Sequence, residues 1–428
     1  MKDRNFWLYA MGRFVTILGL GMTNVAGPLF ILELTGSGKI MGTFIITAMM
    51  PALLLYPVAG VMGDRVNRKT IMVSMDFGRG ALCLFLAFLA ARDYLTIPLF
   101  LLLVFAGGVM GTFFGPATAA MLPDIVREQD LTKANSIMRS LYNVSSIIGP
   151  TLGGIVYAFG GVKLSFLITG ISLIGSGLSE LFIQYRQKTK KLEHIREVAT
   201  DLKEGISFIK IHRGLLNFLV FALLSNFFLS PVGGVLIPYV FLVVIKFSPE
   251  QYGMLQTSFI TGALIGNIII GTLLAKARIG TMLKRGLLSE QVFNITFAAL
   301  ILPSVIVYLG YASWAMFSAI FIVSIFRGLA NSFVNVPISV GLQKLIPTEY
   351  RARVFSVMEV ISMGIMPIGV GVVGIFLDMA PAYVIALGMF LTNFFVVLVF
   401  IFRYLSSVMK EFEHEEPEHE EFEQEESG

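Results

Sequence analysis

The amino-acid sequence predicts an all-α polytopic membrane protein with twelve transmembrane helices in two pseudo-symmetric six-helix bundles. Three observations support this prediction: the composition, twelve apolar runs, and a repeat that relates the two halves. Apolar residues make up 56% and charged residues 14% of the chain, against roughly 45 to 50% and about 25% in soluble domains. The mean hydropathy is +0.79. A soluble globular protein is therefore excluded.

Each apolar run is long enough for a helix to cross a bilayer, which takes about 20 residues. In order, the predicted spans are 6–32, 40–62, 71–91, 97–121, 135–159, 163–184, 215–245, 251–275, 286–308, 311–342, 354–377 and 381–404. The first run follows a charged start and has no small-residue cleavage site, so we expect it to be retained as a span.

The distribution of basic residues predicts which ends of these spans face the cytoplasm. With the amino terminus inside, 24 of the 32 lysines and arginines fall at the cytoplasmic face. Only Lys39, Arg92, Lys163 and Lys246 fall at the outer face. Because cytoplasmic loops carry the excess of positive charge, we expect a multi-pass protein of a bacterial-type inner membrane with both termini in the cytoplasm.

The halves repeat each other around one long polar stretch. Residues 115–118 (GPAT) correspond to 336–339 (VPIS), and Pro150 corresponds to Pro367, at nearly constant separations of 221 and 217 residues. The predicted domains are an amino-terminal bundle (1–185), a helical cytoplasmic linker (186–213), a carboxy-terminal bundle (214–405) and an acidic tail (406–428). Ten glutamates and no base lie between Glu411 and Gly428, so we expect this tail to be disordered.

Several chemistries are excluded by the residues that are missing. Cys83 is the only cysteine, and the four histidines all lie in polar segments, which leaves no thiolate metal site and no histidine within a span. No phosphate-binding or hydrolase motif is present. We therefore expect no enzyme activity, no metal, no cofactor and no nucleic-acid partner.

A motif stands in the loop between the second and third spans, where residues 60–69 read GVMGDRVNRK. It resembles the signature of the major facilitator superfamily, and the resemblance covers residues 1 to 405. Gly60 permits close helix contact, and Asp64 and the bases Arg65, Arg68 and Lys69 belong to the signature. The resemblance implies a two-bundle carrier in which Asp64 and Arg68 form a charge latch between the halves that holds the outward-facing state.

A second motif lies in the fifth span, where Gly149, Pro150, Gly153 and Gly154 resemble the end of the superfamily's antiporter motif. Proline removes a backbone donor, and glycines let helices approach closely. The resemblance therefore favours export over import. Residues 120–135 and 346–355 look like the branch that includes macrolide-efflux proteins and the enterobactin exporter.

These resemblances imply a secondary active exporter of an amphipathic small molecule such as a macrolide, driven by the proton gradient. Internally repeated halves allow such a carrier to expose a central site to either side in turn. The expected partners are the substrate and membrane lipid, and the carrier can act as a monomer. A lipid or metabolite carrier for a lysophospholipid, siderophore or sugar remains the alternative, with a non-transporting membrane protein as a third reading.

Ionisable residues within spans are functional candidates because their burial in lipid is costly. Asp76 and Arg79 lie three residues apart on one helix face, where they form either a structural ion pair or a proton-responsive switch. Arg327 lies near the middle of the tenth span and would attract an anionic group or a carboxylate. Glu359 is a candidate proton carrier, with an interfacial salt bridge to Arg353 or another helix as the alternative. Four others are expected to reach or pair at the cytoplasmic ends: Arg13, Arg139, Glu180 and Glu290.

Polar and aromatic residues in the spans are candidates for the substrate cavity. The resemblance places the first, fourth, seventh and tenth spans around the substrate path. The candidates on those spans are Asn24, Phe113, Phe114, Asn226, Asn331 and Asn335. Packing between helices is the alternative role for each of them.

Overall fold

The computed structural model describes residues 3–185 and 195–413, and all regular structure in that part of the chain is helical. Side chains at positions 57, 60, 61, 63–65, 195–202, 348, 349, 352, 356, 412 and 413 lie outside the description. The long helices have the apolar composition of membrane spans.

The helices of the amino-terminal half are α1 (Arg4–Thr35), α2 (Gly38–Arg65), α3 (Arg68–Ala91), α4 (Ile97–Ile125) and α5 (Leu131–Leu181). A linker helix, α6 (Ile195–Ile211), follows. The carboxy-terminal half contains α7 (Arg213–Val244), α8 (Pro249–Thr272), α9 (Ile279–Leu300), α10 (Pro303–Leu309), α11 (Trp314–Leu345), α12 (Thr348–Leu377), α13 (Ala382–Val399) and α14 (Leu405–Glu413).

Helix α5 contains two predicted spans that reverse direction at a pair of glycines. Gly161 has φ +61° and ψ −159°, outside the helical region and in backbone space that favours glycine. Before this break, Ser145 hydrogen-bonds to the carbonyl of Phe14, and Gly153 packs on the backbone of Met22. After it, the order along α1 is inverted, since Gly19 contacts Thr169 and Gly12 contacts Ser176. The two arms of α5 are therefore antiparallel.

The number of membrane crossings agrees with the predicted twelve. Ten helices in the described ranges are long and apolar enough to cross a membrane, and α9 with α10 supplies an eleventh as a pair bent by 71°. The reversal within α5 supplies the twelfth. The predicted ninth span, 286–308, is thus broken, and Pro303 at the start of α10 lacks the donor that a continuous helix would need.

The tail prediction is wrong for its first residues, because 405–413 form helix α14. Its last turn is held by Glu411, whose carboxylate accepts from the backbone N–H groups of Gly214 (2.7 Å) and Leu215 (3.2 Å). A carboxylate at a helix amino terminus satisfies donors that the helix itself cannot. Residues 414–428 of the predicted tail and 186–194 of the predicted linker lie outside the described residues.

The two ends of the bundle differ in how the halves meet. The basic face is the end with residue 4 and the turns near residues 66, 127 and 278, and the other end is the opposite face. Towards the opposite face, one buried apolar cluster joins residues of both halves, including Leu29, Phe241, Tyr252, Val370 and Leu377. Towards the basic face, each half has its own cluster. Among the described side chains, the halves therefore share a core at the opposite face and have separate cores at the basic face.

A carboxylate and a glycine hold the seam at the opposite face. Asp378, at the end of α12, accepts from the Ser37 hydroxyl (2.6 Å), the Gly38 N–H (2.6 Å) and the Lys39 N–H (3.3 Å) at the start of α2. Gly38 packs against Leu377, so a side chain there would collide with α12. A residue of one half thus caps a helix of the other.

Candidate functional site

A cavity of about 560 Å³, called the main cavity below, lies within the amino-terminal half. Its walls come from α1 to α4 and the second arm of α5, and they are mostly apolar, with Phe44, Phe100 and Phe166 among them. A smaller cavity of about 310 Å³ adjoins it between the halves, where Gly233 of α7 and Gln256 of α8 face Asn24. Such a chamber suits an amphipathic molecule, because large apolar walls carry a few polar groups.

Asn24 and Phe114, two of the predicted cavity residues, line the main cavity. Asn24 lines the smaller one as well. Phe113, Asn226, Asn331 and Asn335 are not among the lining residues of either cavity. For those four residues, helical periodicity could not say which face of the helix points inward.

Four charged side chains form the N-half cluster beside this cavity: Arg13, Asp76, Arg79 and Glu180. Arg13 and Arg79 line the cavity, and their guanidinium carbons lie 5.0 and 4.1 Å from the centre of the Phe114 ring. Both carboxylates are fully buried. Arg79 donates to Asp76, as the predicted ion pair requires. The cavity therefore meets two cations, and the acids lie out of its reach.

Two hydroxyl groups connect the buried acids. Thr16 of α1 donates to Asp76 Oδ2 (2.9 Å) and lies 3.2 Å from the Ser176 hydroxyl. Ser176 is 3.3 Å from Glu180 Oε1 and 3.0 Å from the carbonyl of Gly12. The atoms Glu180 Oε1, Ser176 Oγ, Thr16 Oγ1 and Asp76 Oδ2 thus form a continuous chain across three helices.

Of the two roles expected for Glu180, snorkelling is wrong, because the side chain is fully buried, and the structure shows pairing within the protein instead. Its second oxygen, Oε2, has no hydrogen-bond partner among the described residues. The sequence signal that could have indicated this is Ser176, one turn earlier on the same helix face. Glu290, placed with Glu180 in the prediction, is also buried within the protein.

The C-half cluster is built from amides around one acid and one arginine. Arg327 is buried, donates to Asn294 Oδ1 (2.8 Å), and lies near the Phe297 and Phe390 rings. Glu290 accepts from Asn331 (3.2 Å), which in turn accepts from Asn335 (2.7 Å). Neither Arg327 nor Glu290 lines either cavity. Arg327 thus hydrogen-bonds to an amide oxygen, and the carboxylate that it was predicted to attract is Glu290, with which it interacts electrostatically.

Glu359 does not resemble a buried proton carrier. Its side chain is exposed, and it forms no hydrogen bond or ion pair with the described residues. The suggested partner Arg353 instead binds Glu204 of the linker helix (2.5 Å). Arg353 thereby ties α6 to the carboxy-terminal half.

The loop motif makes its described contacts within its own half. Arg68 donates to Asp124 (2.8 Å) and to the carbonyl of Ala120 (3.2 Å), both in α4. Tyr185 donates to the same Asp124 oxygen (2.7 Å), and burial, followed by this hydrogen bond, raises the pKa of Tyr185 to about 12. The phenol therefore stays protonated as a donor at neutral pH.

Lys69 donates to the carbonyl of Leu181 (2.7 Å), which fixes the end of α5. The side chains at Gly60, Asp64 and Arg65 lie outside the described residues, so the predicted latch between Asp64 and Arg68 stays a prediction.

The glycines of the fifth span lie at two helix contacts. Gly149 packs on the backbone of Gly21, and Gly153 on that of Met22, both in α1. Gly154 faces the carbonyl of Pro249 in α8, across the seam between the halves. Gly253 of α8 faces Pro150 in the same seam. This motif forms the seam that closes the opposite face, since only glycine leaves room for these approaches.

Twelve crossings, two halves closed at one face, and a mostly apolar cavity that adjoins a smaller one between the halves define a membrane carrier of the two-bundle type. The sequence profile of the Major Facilitator Superfamily matches residues 9–369. The chain belongs to the Major Facilitator Superfamily, and it is a transporter and not an enzyme.

Relatives of known name fall in the efflux branch of the family. The chain is 24% identical to macrolide efflux protein A of Streptococcus pyogenes over 382 residues, which cover 87% of this chain and 89% of that protein. It is 28% identical to the putative bacilysin exporter BacE of Bacillus subtilis (strain 168) over 312 residues, 72% of each.

Two solved structures share the fold. A bacterial homologue of the iron transporter ferroportin in the inward-facing state has a TM-score of 0.71 at 17% identity, over 94% of this chain and 100% of that one. The nucleoside transporter NupG has a TM-score of 0.68 at 14% identity, over 94% and 100%. At these identities the likeness concerns the fold alone.

Proposed function

We propose that this protein exports an amphipathic small molecule of the macrolide type across a bacterial inner membrane in exchange for protons. The observation that supports the proposal most directly is the main cavity, because its apolar walls and the two guanidinium groups match a large, mainly apolar molecule with a few polar groups. The named activities of the relatives, macrolide efflux and bacilysin export, support the outward direction.

The proposed topology places the basic face and both termini in the cytoplasm. The cavity is then loaded from the cytoplasm in the conformation described above. Export follows when the seam around Gly154 and Asp378 opens and the basic ends of the halves come together. The two halves rock about the central chamber, as in other carriers with repeated halves. A single chain contains the whole path, so we propose a monomer.

The test measures accumulation of a radiolabelled macrolide in an efflux-deficient bacterium, with and without a protonophore. Expression of the chain should lower accumulation several-fold, and the protonophore should abolish the difference. Unchanged accumulation with verified membrane expression would reject this macrolide. The search would then move to lysophospholipids, siderophores and sugars.

A matched pair of glycine variants tests whether the cavity is the transport path. Gly111 lines the cavity, and a Cβ at this position meets open space, so Gly111→Leu places a side chain in the chamber without a backbone clash. We expect transport to fall roughly tenfold, the effect of about 1.4 kcal/mol of lost binding. Gly175 is exposed, with equal room and no cavity contact, and Gly175→Leu should transport normally. Equal activity of both variants would place the path elsewhere.

A further inference from the structure

We propose that Glu180 and Asp76 form the proton-carrying site of this transporter, and that the hydroxyls of Ser176 and Thr16 pass the proton between them. The inference rests on the proposed proton exchange and names the residues that perform it. Neither acid belongs to the loop motif or to the antiporter motif. The support comes from burial, from the count of hydroxyl protons, and from the position of the arginines.

The count of donors shows that Glu180 fits its surroundings as a neutral acid. Thr16 has one hydroxyl proton, and Asp76 receives it at 2.9 Å. Ser176 also has one, and its shortest acceptor is the Gly12 carbonyl at 3.0 Å. An ionised Glu180 would then have no donor at Oε1, and Oε2 has none in the described chain. A protonated Glu180 donates to Ser176 Oγ and completes the chain.

Transfer along this chain moves one proton without any net loss or gain of atoms. The Ser176 hydroxyl first turns its proton from the Gly12 carbonyl to Thr16 Oγ1. Glu180 then gives its proton to Ser176 Oγ as the Ser176 proton passes to Thr16 Oγ1 and the Thr16 proton passes to Asp76 Oδ2 in the same step. The heavy-atom separations are 3.3, 3.2 and 2.9 Å, and each hydroxyl can both donate and accept. The result is an ionised Glu180 and a neutral Asp76.

The charged and titratable groups that face Glu180 come from two other helices. Tyr9 and Arg13 approach Glu180 from α1, and Asp76 and Arg79 approach it from α3. Lys69 binds the carbonyl of Leu181, the next residue after Glu180. With both carboxylates ionised, the four charges of the N-half cluster sum to zero, and one bound proton makes the sum +1.

This change of charge couples the proton to the substrate. A proton on Asp76 neutralises the partner of Arg79, and Arg79 lines the cavity together with Arg13. The protonated cluster therefore disfavours a positively charged amphipathic molecule in the cavity, and the ionised cluster accepts one. Mutual exclusion of proton and substrate is what exchange requires.

The first experiment needs no substrate. Infrared difference spectra of the purified chain in lipid, recorded on a shift from acid to alkaline pH, should show loss of the carbonyl stretch of a buried carboxylic acid. Glu180→Gln should remove this band, and Glu359→Gln, which changes an exposed acid, should keep it. A spectrum that is unchanged by Glu180→Gln would overturn the proposal. Glu180→Gln is nearly isosteric, and its thermal unfolding is measured in parallel.

The second experiment tests the hydroxyls in proteoliposomes. Thr16→Val should lower the rate of pH-gradient-driven macrolide uptake several-fold. The rate of macrolide counterflow, which needs no net proton movement, should stay unchanged. Thr16→Ser, which restores a hydroxyl, should recover the gradient-driven rate. Normal gradient-driven uptake by Thr16→Val would remove Thr16 from the path. If the unmodified chain moves no macrolide, the proposed substrate has failed, and the infrared spectra alone decide the proton site.

Discussion

At the opposite face the two halves share one apolar cluster, whereas at the basic face each half keeps a cluster of its own. The contacts differ in kind as well. Across the opposite face, glycine backbones meet and Asp378 caps α2. At the basic face, the described contacts of Arg68 and Lys69 stay within the amino-terminal half. The described contacts that hold the two halves in this conformation are therefore concentrated in the seam at the opposite face.

The distance between the two halves at the opposite face can be measured in the same way for each variant proposed below. Arg92 and Lys246 are exposed at the opposite face, one in each half. Spin labels on cysteines at these two positions, in a Cys83→Ser background, report the separation of the halves by double electron–electron resonance. An open opposite face appears as a longer distance.

The largest shift is expected from Gly154→Leu. Any side chain at Gly154 would collide with the Pro249 carbonyl across the seam, and overpacking of this kind costs about 1 to 3 kcal/mol. The variant should populate the longer distance. Gly388, on α13, has open space around it, and Gly388→Leu should keep the short distance. A short distance in both variants would mean that the Gly154 contact does not hold the seam.

A smaller shift is expected from Asp378→Asn. The substitution removes the charge that caps α2 but keeps an acceptor, and an exposed charge at a helix amino terminus is worth less than about 1 kcal/mol, or up to roughly fivefold in a conformational equilibrium. The fraction at the longer distance should rise in low salt, and the effect should shrink in high salt. An effect that is independent of salt would point to packing instead of charge.

The smallest effect is expected from Glu204→Gln. Its ion pair with Arg353 is 36 to 44% exposed and lies within one half and its linker helix, and exposed pairs contribute about 0.2 to 1 kcal/mol. The distance distribution should match that of the parent protein. A clear rise of the longer distance would show that the linker helix takes part in the choice of conformation, and that the seam is not the main determinant.

The sequence predicted the spans, the repeat and the pairing of Asp76 with Arg79, because hydropathy and helical spacing are local properties. It also placed Gly149, Gly153 and Gly154 in a motif of close helix contact. The sequence did not show that the Glu180 side chain points into the protein, since a residue near the end of a span can reach water or turn inward. Its inward direction depends on contacts with Ser176 on the same helix and, through it, with Thr16 on another helix. A short window of sequence does not contain both residues.

Cavity residues were harder to predict than spans for a related reason. Asn24 and Asn226 lie on the first spans of the two halves, yet only Asn24 lines the cavities described. The tail illustrates a third limit, because composition predicted disorder from residue 406, and Glu411 instead finds a specific partner at the start of α7. Long-range pairing of this kind has no periodic signal.

The C-half cluster differs from the N-half cluster in the groups to which its acid and its base are bonded. Its acid, Glu290, and its base, Arg327, are each hydrogen-bonded to a carboxamide, that of Asn331 and that of Asn294. A carboxamide donates or accepts hydrogen bonds without handing on a proton. The hydroxyls of the other half have no counterpart in the described bonds of this cluster. In the proposed mechanism, the N-half cluster therefore holds the exchangeable protons, and the C-half cluster serves as a fixed electrostatic scaffold.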